Sequence, residues 1–302
     1  MDQDPLVRAR PSGAQGVRIP SGSGRVAGGA LFRTTLVLAT SVVLLFLLLP
    51  IVAVFLQIPP GELVSALGSD AARDALRVTA ETISISMVMI LVFGTPAAYW
   101  ISTRRGALRD VLVTLVELPL VLPPAVAGIG LLVAFGRLGL LGGTFDALGI
   151  DIAFTKAAVV LAVTFVASPF YLRTAIASFE VVDPTLPAAA RTLGAGPARV
   201  FARVMLPLAR GGLGAGAALA FARGLGEFGA TIMFAGSLQG VTQTLSLAIY
   251  EQFDIDLDVA LAISAFLILL SALVLLSVKL FSRWRSGSDS VTLFAASARR
   301  PT

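Results

Sequence analysis

The feature that most constrains this chain is a series of long apolar runs almost free of charge. They occupy residues 36–56, 82–103, 118–136, 157–172 with an extension to 179, 211–238 and 259–278. An uncharged run of about 20 residues is long enough to cross a bilayer as a helix. The third run is interrupted by Pro119, Pro123 and Pro124, and the fifth carries Arg223 and Glu227. Only 14% of the residues are charged and 56% are hydrophobic, whereas a soluble domain carries about 25% charge. One aqueous core cannot hide that much apolar surface, so lipid is the expected solvent. The expected fold class is an all-α polytopic membrane protein of about six spans.

The charges fix an orientation. Basic residues gather in the N-terminal tail (Arg8, Arg10, Arg18, Arg25, Arg33), beside Arg104, Arg105 and Arg109, along Arg191, Arg199, Arg203 and Arg210, and in the C-terminal tail (Lys279, Arg283, Arg285, Arg299, Arg300). The alternate loops hold most of the acids, among them Glu62, Asp70, Asp74, Glu81, Asp146, Asp151, Glu251, Asp254, Asp256 and Asp258. This alternation places both termini in the cytoplasm by the positive-inside rule. It also accounts for the basic balance without nucleic acid, because the basic stretches lack interleaved aromatics for base stacking. Attraction to anionic lipid heads is the simpler reading.

Three regions follow. Residues 1–32, rich in Gly, Ser, Arg and Pro, read as a disordered cytoplasmic tail, residues 33–285 as the membrane domain, and residues 286–302 as a second cytoplasmic tail. A cleavable signal peptide is not expected, since the first apolar run starts late and is longer than a signal core. The chain has no Cys and no His. Thiol catalysis, His-ligated metals and a Ser–His–Asp triad are therefore excluded, and no catalytic or metal-binding residue is assigned.

One cytoplasmic segment, residues 183–207, is too structured to be a plain connector. Asp183 can cap a short helix with Pro184 in its first turn, Ala188, Ala189 and Ala190 favour helix, and Gly194 supplies a stop. Pro197 opens a second, amphipathic helix, with Val200, Phe201, Val204 and Met205 on one side and Arg199 and Arg203 on another. Pro207 is expected to end it before the membrane. A helix–Gly–helix unit of this kind is a rigid knob suited to a partner.

Here the sequence resembles the permeases of ABC importers, whose coupling loop reads Glu-Ala-Ala-x-x-x-Gly and, further on, Leu-Pro. The matching positions are Ala188, Ala189, Ala190, Gly194, Leu206 and Pro207, with Ala188 standing where the family has Glu. The resemblance implies a type I permease fold and a loop that docks on an ATPase subunit.

A second stretch narrows the resemblance. Residues 220–236 contain Gly226-Glu227-Phe228-Gly229 and are similar to the signature of molybdate permeases, whose core sulfate and tungstate permeases share. Residues 242–250 and the proline run 118–124 are also similar to the molybdate type. The likeness spans roughly residues 75–280. It implies a permease that moves an oxyanion, molybdate foremost, with sulfate, thiosulfate or tungstate as alternatives. It further implies two ATPase subunits carrying ATP and Mg²⁺, a second permease chain forming a homodimer, and a periplasmic or surface binding protein. This chain has no Gly-x-x-x-x-Gly-Lys-Ser/Thr and is expected to bind no cofactor itself.

Arg223 and Glu227 lie four apart, on one face if both are helical, and Thr231 continues that face. Charge at membrane depth must face the bundle interior or a watery path. Two readings stay open, a self-neutralising packing pair and a contact on the transport path. Likewise Pro119, Pro123 and Pro124 can form a kink or a gate, and Glu117 can meet anions or pair with a distant cation. Gly212 and Gly216 form a small-xxx-small packing face; no preceding strand supports dinucleotide binding. A secondary transporter or channel is a rival but gives no reason for the loop at 183–207. An intramembrane enzyme would need paired catalytic groups, and Glu227 is already matched by an Arg.

Overall fold

A computed structural model describes residues 23–297, with side chains described for 32–59 and 61–277. The described residues form helices: α1 (Ser23–Gln57), α2 (Pro60–Leu67), α3 (Asp70–Ser102), α4 (Ala107–Val121), α5 (Pro124–Phe135), α6 (Gly142–Ala147), α7 (Lys156–Glu180), α8 (Thr185–Thr192), α9 (Pro197–Val200), a π turn (Phe201–Met205), α10 (Leu206–Leu225), α11 (Gly229–Ala235), α12 (Leu245–Ile255) and α13 (Leu257–Ser297). Five helical stretches are long and apolar enough to cross a membrane, and the bent pair α4–α5 makes up to six.

The chain divides at Ala53 into two compact units. The described residues of the first belong to α1, whose side chains from Phe32 to Ala53 are all exposed. That is workable only where hydrocarbon replaces water. Helix α1 begins at Ser23, within the expected tail of residues 1–32; residues 1–22 lie outside the described residues. Helix α13 likewise runs on to Ser297, past the expected boundary at 285. Both extensions add residues to an existing helix, and propagation is far cheaper than nucleation.

In the second unit α7 is the hub, with α3, α4, α5, α10 and α11 packed on it. Small residues make that possible. Ala158, Ala162, Ala167 and Ala175 of α7 are fully buried. Facing them, α10 presents Gly212, Gly216, Ala220 and Gly224 at four-residue spacing. A Cβ at Gly212 would lie 1.8 Å from Ser178 Oγ, one at Gly216 3.1 Å from Thr174 Cβ, and one at Gly224 2.9 Å from Val163 Cγ1. The expected small-xxx-small face is therefore real, and α7 is what it packs against.

Ion pairs add to this packing, most of them between residues far apart in sequence. Glu81 of α3 meets Lys156 of α7 at 2.6 Å and Arg77 at 2.9 Å. Near the other end of α7, Arg109 meets Glu180 at 2.7 Å and Glu117 meets Arg173 at 3.4 Å. These last two pairs form two rungs between α4 and α7. Helix α4 has no fully buried residue; Leu112, Val113 and Val116 pack against the core cluster, and the rungs add to that contact. Between α5 and α7, Arg137 and Asp146 approach to 3.5 Å beside a cavity of about 500 Å³.

Two sequence expectations need correction, and one gains detail. The prolines break the third run, as expected, and the break is a 110° bend between α4 and α5. Pro123 and Pro124 lack the N–H groups that would continue the ladder, and Leu122 before them is extended, as a residue preceding proline prefers. The fifth span does not run from 211 to 238; it begins at Pro197 and ends at Leu225, with α11 a separate short helix. Finally, Pro207 does not stop a helix. The helix passes through it by way of the π turn, where the Leu206 amide donates to the Phe201 carbonyl. The wider turn relieves the clash and missing donor that proline imposes on an α ladder.

Candidate functional site

The knob at residues 183–207 is built largely as its sequence requires. The Asp183 carboxylate accepts from the Thr185 amide at 2.9 Å and the Thr185 hydroxyl at 2.8 Å. These donors, the amide first, hold the Asp183 carboxyl below its ordinary value of 3.8. At the other end of α8, Gly194 takes φ +83°. Its amide donates to Arg191 O at 2.9 Å, and the Ala195 amide donates back to Ala190 O at 3.0 Å. This paired pattern is a Schellman cap, which needs the left-handed conformation that glycine adopts at low cost.

The knob has a dry side and a wet side. Pro187 and Val200 are buried, and Ala190 and Ala195 pack against the cluster of Phe179, Val200 and Met205. Ala188, Ala189, Arg191, Gly194, Arg199, Arg203 and Pro207 are exposed. Leu206 is half-buried on the continuous helix. The expected amphipathic division of Val200 and Met205 from Arg199 and Arg203 therefore holds.

Beneath the knob is a feature that sequence reasoning missed. Tyr99 of α3, Phe179 of α7 and Phe201 of the π turn form an aromatic tripod. Its ring centroids lie 5.4 Å (Tyr99–Phe179), 4.8 Å (Tyr99–Phe201) and 6.3 Å (Phe179–Phe201) apart. Such spacing is favourable for aromatic pairs and resists shear between the helices that carry them. The rings come from three distant segments, so their only sequence signal is aromatic residues at the expected cytoplasmic ends of spans.

The second cluster lies at the far end of α10. Arg223 Nη2 and Glu227 Oε2 are 2.7 Å apart; the Glu227 side chain is 1% exposed and that of Arg223 28%. The contact is close in distance but lacks the directed geometry of a hydrogen bond. Glu227 is not on α10, contrary to expectation. The helix ends at Leu225, capped by Gly226, and Glu227 sits in the break before α11. There its Oε1 accepts from the Ala230 amide at 2.7 Å. One carboxylate thus neutralises a cation and satisfies an orphan donor at the start of α11. Thr231 is on α11 and not on the α10 face; it is fully buried, and its hydroxyl has no hydrogen-bond partner among the described residues.

The expected gate prolines reach this cluster. Pro119 remains inside α4, while Pro123 and Pro124 form the start of α5. A Cβ on Gly229 would lie 2.6 Å from Pro124 Cβ, and one on Gly128 2.6 Å from Ala230 O. The two helix breaks, at residues 122–124 and 226–228, therefore abut. The structure brings together Pro124, Glu227 and Thr231, and sets the coupling-loop residues at the opposite end of the 20-residue α10, about 30 Å away along the helix. Alongside, Thr242, Gln243 and Thr244 form a buried polar segment. Gln243 Nε2 donates to Glu251 and Ser237, and Thr79 Oγ1 accepts from the Leu245 amide at 2.9 Å.

Residues 90–287 match the family model described as binding-protein-dependent transport system inner membrane component. The chain is 46% identical over 242 residues to the molybdenum transport system permease protein ModB of Mycobacterium tuberculosis, covering 78% of this chain and 89% of that one. It is 36% identical over 215 residues to ModB of Azotobacter vinelandii, covering 70% and 95%. It is also 33% identical over 255 residues to the sulfate transport system permease protein CysW of Synechocystis, covering 83% and 92%.

Among solved structures, the fold matches a chain of a bacterial ABC transporter involved in alginate import, with TM-score 0.66 at 16% identity over 86% of this chain and 97% of that one. It also matches a chain of the MetNI methionine ABC transporter, with TM-score 0.52 at 21% identity over 68% and 94%. At these identities the likeness establishes the fold, that of a type I ABC-importer permease. The chain belongs to the family of binding-protein-dependent transport system inner membrane components.

Proposed function

We propose that this chain is the membrane permease of an ATP-driven importer that carries molybdate across the cytoplasmic membrane. The observation that carries the reading is the Schellman-capped knob at 183–207, rigidly continuous with a membrane helix. A self-contained transporter has no use for such a knob; a permease driven by a separate ATPase does. The cargo is supported by the names of the relatives that share 46% and 36% identity. The 33% identical sulfate permease keeps sulfate as the second reading.

In this reading two copies of the chain form a path at their interface. Two ATPase subunits, holding ATP and Mg²⁺, bind the knobs from the cytoplasm, and a binding protein delivers the anion from outside. ATP binding draws the knobs together, and α10 carries that motion to the abutting breaks around Pro124 and Glu227 by alternating access. The Arg223–Glu227 pair keeps net charge low there, so the path offers an oxyanion weak transit contacts and no trap.

Radiolabelled molybdate uptake in a strain lacking the gene, with and without its restoration, tests this. Gene-dependent, energised uptake that resists excess sulfate supports the molybdate reading. Uptake erased by sulfate moves the cargo to sulfate, and no gene-dependent oxyanion uptake refutes both.

A further inference from the structure

The cavity of about 500 Å³ beside α6 has no part in the importer mechanism. Much of its wall is apolar: Leu132 and Phe135 at the end of α5, Phe145 of α6, and Ile152 and Phe154 just before α7. It lies where two membrane segments end, since α5 stops at Phe135 and α7 starts at Lys156. Lys156 meets Glu81 at 2.6 Å, and such charge belongs at the edge of a bilayer and not at its centre. By the charge alternation this is the outer edge, at the opposite end of α7 from the knob.

The loop around the cavity is apolar on its outside as well. Leu138 is 102% exposed and Leu140 is 85% exposed. Large apolar side chains held out so fully mark a surface that meets hydrocarbon or a partner. Phe154 has φ +61°, a region that bulky residues avoid. Its ring rests against Gly236, where a Cβ would lie 3.3 Å from Phe154 Cδ1. The unusual backbone thus sets this ring as a wall of the cavity.

The charged lining residues are Arg137, Asp146 and Asp151, all exposed. Arg137 meets Asp146 at 3.5 Å, but their side chains are 74% and 60% exposed, and so open a pair holds weakly. Asp151 has no ion-pair or hydrogen-bond partner among the described residues. A plain anion would find more repulsion than attraction beside these carboxylates. A zwitterion satisfies both signs.

We propose that this cavity is a site for an outer-leaflet phospholipid with a primary-ammonium headgroup. One acyl chain fills the apolar cavity, whose volume is that of sites for small organic ligands. The phosphate meets Arg137, and the ammonium donates to Asp151 and Asp146. A quaternary headgroup has no N–H to donate, and a glycerol headgroup has no cation. A partner protein can also cover exposed leucines. Lipid is favoured by the pairing of an apolar cavity with a rim of both signs at the end of two membrane segments. The proposal needs only that the chain spans a membrane, so its failure leaves the importer reading standing.

The chain has no Cys, so one introduced thiol reports on one place. Val133 lines the cavity and is 55% exposed, so Val133→Cys disturbs little packing. Ser65→Cys on α2 is the control, exposed and outside the cavity. The full-length chain, stripped of lipid in detergent, is titrated with phosphatidylethanolamine, phosphatidylcholine, phosphatidylglycerol or inorganic phosphate, and maleimide labelling is timed. Phosphatidylethanolamine should slow labelling of Val133→Cys about tenfold at ten times its half-protecting concentration. It should leave Ser65→Cys unchanged. The other two lipids should need higher concentrations, and inorganic phosphate should do nothing. In the Val133→Cys chain, Arg137→Gln and Asp151→Asn should each raise the half-protecting concentration about fivefold or more, the loss of one charge-assisted contact. Asp151→Asn should also narrow the preference over phosphatidylcholine. Labelling of Val133→Cys that ignores phospholipid overturns the proposal, as does equal protection by all three lipids or equal protection of Ser65→Cys. Protection only on adding the purified binding protein that supports uptake also overturns it and assigns the cavity to a protein partner.

Discussion

Gly194 allows the coupling argument to be tested with very small side chains. Its φ of +83° lies in the left-handed region, and a Cβ added there meets nothing within 4 Å. Any penalty for substitution is therefore conformational and not a matter of space. Asn tolerates this region best; Ala incurs about 1 kcal/mol; β-branched Val incurs roughly 2 kcal/mol or more. A shift of 1–2 kcal/mol changes a two-state population about 5- to 30-fold. The population at stake is the capped knob, held by the bonds of Gly194 to Arg191 and Ala195 to Ala190. Gly194→Asn, Gly194→Ala and Gly194→Val should all insert in the membrane at wild-type yield. ATPase retained on purification and substrate uptake should fall in the order Asn, Ala, Val. Wild-type retention and uptake in Gly194→Val would refute the assignment of this turn to coupling. Equal damage from Asn and Val would refute the conformational reasoning, because a φ preference separates those two residues.

Other consequences can be measured in the same system. Gly212→Leu should lower folded yield by overpacking against Ser178, on the order of 1–3 kcal/mol, while Gly214→Leu, where a Cβ meets nothing within 4 Å, should not, as thermal unfolding in detergent will show. Glu227→Ala removes both the counter-ion of Arg223 and the Ala230 amide's acceptor and should destabilise by about 3 kcal/mol; Glu227→Gln with Arg223→Met should be milder in the same melt, and equal damage would argue against a simple pair. Phe201→Ala should leave ATPase binding intact but lower transport per ATP hydrolysed, because it removes two of the three ring contacts. For Asp183, the folded-state value is depressed, so its contribution is present above the unfolded value and is lost as pH falls through the folded one. The melting difference between wild type and Asp183→Asn should therefore be constant near neutral pH and shrink below about pH 4.

The legible parts of this fold were those set by local rules. The α8 cap could be read from Asp183, and its stop from Gly194, because capping geometry is decided within a few residues. The tight α10 face could be read from Gly212 and Gly216, though not that Ser178 and Thr174 oppose it. Proline marked both irregular sites and misled at one. Pro123 and Pro124 did break a span, but nothing local specified a 110° bend. Pro207 signals a stop only where the ladder is α, and the π turn removes that condition. The four-residue spacing from Arg223 to Glu227 does bring the two side chains together, but Gly226 ends the helix in between. The rungs Arg109–Glu180 and Glu117–Arg173, and the tripod of Tyr99, Phe179 and Phe201, depend on tertiary packing between segments far apart in sequence, which no local pattern encodes.

The helix that carries the π turn also sets an azimuth. From Pro197 to Leu225 the chain is one uninterrupted helical stretch, so the compass bearing of the knob about the α10 axis is phase-locked to the face that Gly212 and Gly216 press on α7. Deleting one residue among Phe201–Met205 would let the turn relax to ordinary α winding and would leave the knob's bearing almost unchanged, because five residues in the wider π turn sweep about the same angle as four at roughly 100° each. The surplus residue is therefore a slack link, absorbed on the spot. The regular winding between Leu206 and Gly212 has no such slack: one residue added or removed there would swing the knob by about 100°, so length should tolerate change in the π turn far better than beside it.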